Sequence, residues 1–248
     1  LLFKDIKENN MTGMKSIIVV VLICFFTGTM VLNAQDINQM DDKGQRHGVW
    51  KKKFEDSDVL RYEGEFNHGK EVGTFKYYKN INGKAVLAAT REFLPDGKAK
   101  VTFYSSKGKK ISEGKMKGKL HTGEWIYYHK DKNAVMNREN YNERGVLEGE
   151  SIVYFTNGNI AEKRMFKNGN VDGKATWYSD QGVVTKIYHY KDGLLHGEAK
   201  FYDGSGKLVQ EGRYKNDRKD GIWKYYENGE LKEEKDFTRV SKNPYKKK

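Results

Sequence analysis

Gly123-Glu124-Trp125-Ile126-Tyr127-Tyr128 is the stretch whose reading decides the fold. Side chains alternate along an extended strand, so Trp125 and Tyr127 point to one face and Glu124, Ile126 and Tyr128 to the other. The same arrangement recurs at Phe75 and Tyr77, at Trp223 and Tyr225, and in reduced form at Ala175 and Trp177 or Ala199 and Phe201. Copies of the pair begin at Lys53, Tyr77, Phe103, Tyr127, Tyr154, Trp177, Phe201 and Tyr225, in steps of 24, 26, 24, 27, 23, 24 and 24 residues. A period near 24 residues indicates a repeat array, in which each unit buries its apolar face by stacking on its neighbours.

Each aromatic strand is followed by a more polar one that closes on an aromatic, as in Arg61-Tyr62-Glu63-Gly64-Glu65-Phe66 or Gln210-Glu211-Gly212-Arg213-Tyr214. Tyr62, Gly64 and Phe66 share a face, and the missing side chain at Gly64 leaves room for a neighbouring ring. Asn157-Gly158 and Asn228-Gly229 fit two-residue hairpin turns, whereas Ser179 to Gly182 and Asp203 to Gly206 suit longer loops ending in a left-handed Gly. Glycines Gly48, Gly69, Gly73, Gly123, Gly149, Gly169, Gly173, Gly193, Gly197 and Gly221 mark the passages between units. The fold class expected is all-β: an elongated, single-layer antiparallel sheet of repeated β-hairpins, with sixteen short strands. Residues 84–92 look helical in isolation, but their place in the register makes them a second strand.

Hydrophobic residues make up 37% of the 248 and aromatics 13%, so burial rests mainly on Tyr, Phe and Trp. Met14-Lys15-Ser16, the apolar run Ile17 to Phe26, and a small residue before Gln35 form the three parts of a secretory signal peptide. An uncleaved N-terminal anchor is the alternative reading of that segment. Residues 1–13 then read as an upstream extension, 14–34 as the signal peptide, 35–42 as a linker, 43–240 as eight repeats and 241–248 as a basic tail. Cys24, the single cysteine, falls inside the signal, so the mature chain has no thiol for a disulfide or a zinc site. Removing residues 1–34 changes the net charge from +12 to +11. For an exported protein, that excess points to anionic lipid or glycan of the envelope, and nucleic acid is disfavoured.

Catalytic chemistry finds no support. His47, His68 and His196 precede repeat glycines and His121 lies two residues before Gly123, so these four read as turn residues. His129 and His189 have no carboxylate or nucleophile at a recognisable spacing. Gly204-Ser205-Gly206 lacks the strand and helix of a nucleophile elbow, and carboxylates are interleaved with Lys or Arg as cross-strand ion pairs. The sequence therefore calls for no enzyme activity, metal or cofactor. Trp50, Phe75, Trp125, Trp177 and Trp223 are assigned to the core, because a chain with few aliphatics must bury its largest rings. The second residues of the pairs, Tyr78, Tyr128, Tyr178, Tyr202 and Tyr226, point to the opposite face and are the candidates for partner contact.

The stretch Tyr62-Glu63-Gly64-Glu65-Phe66-Asn67-His68-Gly69-Lys70-Glu71-Val72-Gly73-Thr74-Phe75 resembles a MORN repeat. Later units, such as Asp192-Gly193-Leu194-Leu195-His196-Gly197 with Phe201-Tyr202, resemble the bacterial MORN-variant form. The resemblance covers residues 43–240. Unit three departs from it by reading Lys98-Ala99-Lys100-Val101 without the second Gly, the last unit by Asp217 in place of the first Gly, and the first by Lys52-Lys53 at the aromatic pair. The resemblance implies a binding module. Three partners follow as expectations: a protein or anionic polymer of the envelope, a toxin neutralised by direct contact as in antitoxin-like members, and phospholipid attachment.

Overall fold

The computed structural model describes residues 36–239; the expected signal segment at 14–34 and the basic tail at 241–248 lie outside them. The described residues form one open antiparallel sheet of 18 strands. Its first third comprises β1 (Gln39–Met40), β2 (Arg46–Lys53), β3 (Leu60–Asn67), β4 (Lys70–Ile81), β5 (Lys84–Phe93) and β6 (Ala99–Tyr104). There follow β7 (Lys110–Lys117), β8 (Leu120–Tyr128), β9 (Val135–Tyr141), β10 (Gly149–Tyr154), β11 (Ile160–Lys167) and β12 (Asn170–Val171). The last are β13 (Gly173–Tyr178), β14 (Val184–Lys191), β15 (Leu194–Tyr202), β16 (Leu208–Lys215), β17 (Arg218–Glu227) and β18 (Glu230–Asp236).

Strands pair with the next in chain order, a meander of hairpins, except that β12 and β13 both pair with β11. The two strands beyond the expected sixteen are the two-residue β1, within the stretch read as a linker, and β12, cut from β13 at Asp172. Residues 84–92 lie in β5, as their register requires.

The pairing corrects the repeat boundaries at two copies. A register shift falls after the first residue of each aromatic pair, between Tyr77 and Tyr78 or Tyr127 and Tyr128, and its fifth occurrence lies between Val153 and Tyr154. The fifth pair is therefore Val153-Tyr154 and not Tyr154-Phe155. In the first copy the shift lies between Lys52 and Lys53, so that pair begins one residue earlier than expected.

Asn157-Gly158 is also corrected. The Phe155 amide donates to the Asn159 carbonyl and the Gly158 amide to that of Phe155, a longer loop in which only Gly158 has positive φ. The Asn157 side chain accepts from the Asn159 amide and stabilises this alternative. Asn228-Gly229 is the expected two-residue turn, with φ of 54° and 89°.

Burial concentrates in one row across the sheet. Trp50 pairs with Gly64, Val101 with Gly114, Gly114 with Trp125, Ala175 with Tyr188, Tyr188 with Ala199, and Ala199 with Gly212. Large residues thus alternate with small ones. Phe75, Val101, Trp125, Ser151, Ala175, Ala199 and Trp223 are all buried. Where the first strand supplies Trp or Phe the neighbouring strand supplies Gly, and where it supplies Ala175 or Ala199 the filler is Tyr188. Volume is conserved along the row although its source moves from strand to strand.

Trp177 departs from its expected place. Ala175 holds the position equivalent to Trp125, and Trp177 lies half-buried in the adjacent row, its ring edge-on to Tyr188 at 5.5 Å. Trp50, in the first copy, is also half-buried; its indole N–H donates to the carbonyls of Gln39 and His47.

How a single layer buries Trp125 completely follows from a bulge. Across β7 and β8, Gly114 pairs with Trp125 but Lys115 pairs with Thr122, so Gly123 and Glu124 are extra residues. Gly123 takes a φ of 66°, a region that a side chain at that position would disfavour. The bulge folds the preceding residues back over the sheet, and His121, four positions before Trp125, stacks on its ring at 3.7 Å. Lys219, four before Trp223, brings Nζ to 4.0 Å from that ring, and Arg46, four before Trp50, lies 5.8 Å from its own. Copies whose buried residue is Ser151, Ala175 or Ala199 carry Leu147, Val171 or Leu195 at the same offset. Copy three, with Ala99 where others have Gly, pairs β5 with β6 without any shift.

Candidate binding face

Side chains on the other face form a second row running the length of the sheet. Lys51, Glu63, Lys76, Thr90, Thr102, Glu113, Ile126 and Arg138 pair in succession, followed by Ile152, Lys163, Thr176, Ile187, Lys200, Glu211, Lys224 and Glu234. The alternation of period two places them there because their neighbours in sequence fill the buried row. Ion pairs link Glu63 to Lys51 at 3.6 Å and to Lys76 at 3.4 Å, Glu211 to Lys200 at 3.7 Å, and Glu234 to Lys224 at 3.8 Å.

Beside that row stand the expected tyrosines. The Tyr78 hydroxyl donates to Glu63 at 2.7 Å, Tyr226 donates to Glu211 at 2.7 Å, and Tyr128 donates to Glu113. Each acceptor lies 15 positions before its tyrosine. At that offset from Tyr178 and Tyr202 stand Lys163 and Ile187, neither of them an acceptor. Neither of those two hydroxyls has a hydrogen-bond partner among the described residues.

The line contains two members that sequence reading missed, Tyr104 and Tyr154. Tyr104 was legible as the second residue of Phe103-Tyr104, and Tyr154 becomes so once the fifth pair is read as Val153-Tyr154. The line thus runs Tyr78, Tyr104, Tyr128, Tyr154, Tyr178, Tyr202 and Tyr226, one on every second long strand, about 10 Å apart. All seven pair directly with an apolar or basic residue of the following strand: Leu87, Lys110, Val135, Ile160, Val184, Leu208 and Leu231 in order. All seven rings are half-buried.

Hydrogen bonds and neighbouring charges shift the carboxyls and phenols of this face. The Tyr78 hydroxyl holds the Glu63 carboxyl below its usual range, against the effect of burial and with help from Lys76. Burial pushes Glu113 up, but Lys110 and the hydroxyls of Tyr128 and Thr102 bring it below the ordinary value. Burial, together with Glu63 and Glu113, pushes the Tyr78 and Tyr128 phenols up to about 12.

The repeat glycines sit at the bulges or turns and supply backbone geometry alone: Gly48, Gly69, Gly73, Gly123, Gly149, Gly169, Gly173, Gly193, Gly197 and Gly221 all have positive φ, between 62° and 108°.

The histidines are placed differently from expectation. Of the four read as turn residues, only His68 lies in a turn, with φ of 46° and Nδ1 2.7 Å from Asp41. His47, His121 and His196 lie in β2, β8 and β15. The bulges place the latter two within strands where the sequence shows only a nearby Gly. Among the described residues no group of His, Cys, Asp and Glu could hold a metal ion, and no helix is long and apolar enough to cross a membrane.

Comparison with known proteins bears on this face. The family model described as MORN repeat variant matches residues 147–168, 171–192, 195–216 and 219–238, four consecutive copies at the period of 24. No curated protein matches the chain. Repeats of this kind generally carry no catalytic activity and form binding or scaffold modules for proteins or lipids. The four matched copies include Tyr154, Tyr178, Tyr202 and Tyr226.

Proposed function

We propose that this chain is an exported, non-catalytic scaffold that meets its partner at the cell envelope on the tyrosine face. Tyr104, Tyr154, Tyr178 and Tyr202 carry this reading. In them the phenol hydroxyl has no partner among the described residues, whereas the ring is fixed in a regular row. Immobilised rings with unused donors offer contact area at little further cost in side-chain entropy. Lys163 and Lys200 in the adjacent row are ion-paired to Glu150 and Glu211, but that row carries six basic residues against four glutamates, and the excess favours an acidic protein surface or an anionic envelope polymer. Export rests on the signal-like segment from Met14 to Ala34.

Two experiments test the reading. Fractionation with mass spectrometry of the intact native chain is expected to find it outside the cytoplasm, beginning near Gln35. A cytosolic chain that retains Met14 would overturn export. Replacing Tyr154, Tyr178 and Tyr202 by Phe keeps the rings and removes the hydroxyls. Retention on an isolated envelope fraction is expected to fall at least about tenfold, since each net hydrogen bond contributes roughly 1 kcal/mol; unchanged retention would remove the tyrosine face from the account.

A further inference from the structure

The hairpin loops on one side of the sheet differ sharply in charge. Loop 54–59 holds Glu55, Asp56 and Asp58, loop 155–159 has no charge, and loop 179–183 holds only Asp180. Residues 105–110 and 129–134, by contrast, bring together Lys107, Lys109, Lys110, Lys130 and Lys132 against a single acid, Asp131. Consecutive hairpins place these two loops side by side, and between them lies an open cleft of about 480 Å³. Its walls are Tyr104, Tyr128, Lys107, Lys109, Lys110 and Asn133, together with the backbone of Gly108.

The charge in this cleft is cancelled from below at Lys110 alone, which is ion-paired to Glu113, leaving Lys107 and Lys109. Glu113 is the nearest acid of the tyrosine-face row, and it already accepts from Tyr128, from Thr102 at 3.4 Å and from Lys110 at 2.8 Å. Lys109 spends its ammonium on the Asp131 carbonyl, at 3.1 Å, which carries no net charge. Lys107, Lys130 and Lys132 have no hydrogen-bond or ion-pair partner among the described residues. The cleft therefore joins uncompensated cations to two half-buried phenol rings whose positions are set by the repeat.

We propose that this cleft binds an acidic pyranoside, a sugar unit bearing a carboxylate, within an extended glycan. The inference rests on the envelope-binding reading and names the chemistry of one ligand. Lys107 and Lys109 meet the carboxylate, and the Tyr104 and Tyr128 rings meet the apolar faces of adjoining sugar rings. Ammonium groups are point charges suited to a carboxylate that approaches from varied directions, and a cleft of this volume accommodates a few sugar units. Beyond it, Tyr154, Tyr178 and Tyr202 continue the line at intervals of about two strand spacings, ~10 Å. That interval is close to the length of a disaccharide in an extended chain, so a polymer gains contacts that a single sugar lacks. A lipid surface fits less well, because the rings are half-buried and the cleft lies between loops.

Titration calorimetry of the full chain with a polygalacturonate oligosaccharide tests the inference, with its methyl ester as the uncharged counterpart. Binding of the acid and at least tenfold weaker binding of the ester are expected. Lys107→Glu with Lys109→Glu is expected to weaken binding by at least tenfold. The charge-matched pair Lys70→Glu with Lys215→Glu, at exposed positions beside the turns on the opposite side of the sheet from the cleft, is expected to change it less than twofold.

Equal loss in both pairs would reduce the effect to net charge and overturn the site. Failure to bind the acid, or equal binding of the ester, would overturn the proposed ligand. Tighter binding to anionic phospholipid vesicles, lost with Lys107 and Lys109, would assign the cleft to a membrane instead. Retention on envelope fractions through Tyr154, Tyr178 and Tyr202 is read separately and survives any of these failures.

Discussion

Gly114 lies directly beneath the indole of Trp125, so close that a Cβ on Gly114 would fall 2.5 Å from the ring. The same relationship joins Gly64 to Phe75 at 2.4 Å and Gly212 to Trp223 at 2.2 Å. Because Trp125, Phe75 and Trp223 are fully buried, their rings have nowhere to retreat. Gly114→Ala or Gly212→Ala is expected to lower stability by about 3 kcal/mol through overpacking, measured by urea denaturation. Gly204→Ala, at a site with open space and no positive φ, is the control and is expected to be nearly neutral. Equal effects at all three would refute the ring-over-glycine packing.

Tyr188 fills the row between Ala175 and Ala199 and touches Trp177, Phe201 and Tyr214 edge-on. Tyr188→Ala is expected to cost about 3–5 kcal/mol, in the range of large core truncations. Tyr178→Ala, on the opposite face, is expected to cost less. A reversed order in chemical denaturation would mean that the tyrosine face, and not the buried row, carries the stability of these copies.

Stability should depend on pH through His121. Burial against Trp125 lowers the imidazole pKa, with Glu139 opposing the shift. The folded state therefore prefers the neutral ring, and this stabilisation is complete above the unfolded value near 6.5. It is lost as pH falls through the folded pKa, because the unfolded chain then binds the extra proton. Wild type is expected to lose more stability between pH 7.5 and 5.5 than His121→Phe, which keeps a ring over Trp125. A matching pH dependence in the two proteins would show that His121 does not titrate against its neighbour.

At alkaline pH the sign is opposite. Tyr77, Tyr78, Tyr128 and Tyr188 have phenols pushed up to about 12, chiefly by burial. Their neutral forms stabilise the fold below the ordinary tyrosine value near 10, and that contribution is lost as pH rises through 12. Ultraviolet titration is expected to show a group of tyrosines ionising late or together with unfolding. Sixteen tyrosines titrating as one class near 10 would contradict the burial of these rings.

Much of this was legible from residues alone, and the failures have physical causes. The period, the strand alternation and the role of Gly64 followed from spacing, because a hairpin repeat forces the same residue type onto the same face. Tyr154-Phe155 misled because two adjacent aromatics look like a pair, and only backbone pairing shows that Val153 takes the first place. Trp177 was assigned to the core by size; the register gives that place to Ala175, and volume arrives from Tyr188 on the next strand. The positions of His121 and Lys219 over rings four residues later depend on the bulge, and a glycine in the sequence does not say which way the chain folds back. The lysine cleft needed the pairing of two loops 24 residues apart, for which the sequence gives only separate clusters of charge.

Site-specific photo-cross-linking in intact cells tests the binding face most directly. A photoreactive residue would be placed at Tyr178 or Tyr202, and, for comparison, at Lys186 or Glu233 on the aromatic face. Discrete cross-linked envelope partners are expected from Tyr178 and Tyr202 and none from Lys186 and Glu233. Cross-links arising only from Lys186 and Glu233 would contradict the account and move recognition to the aromatic side of the sheet.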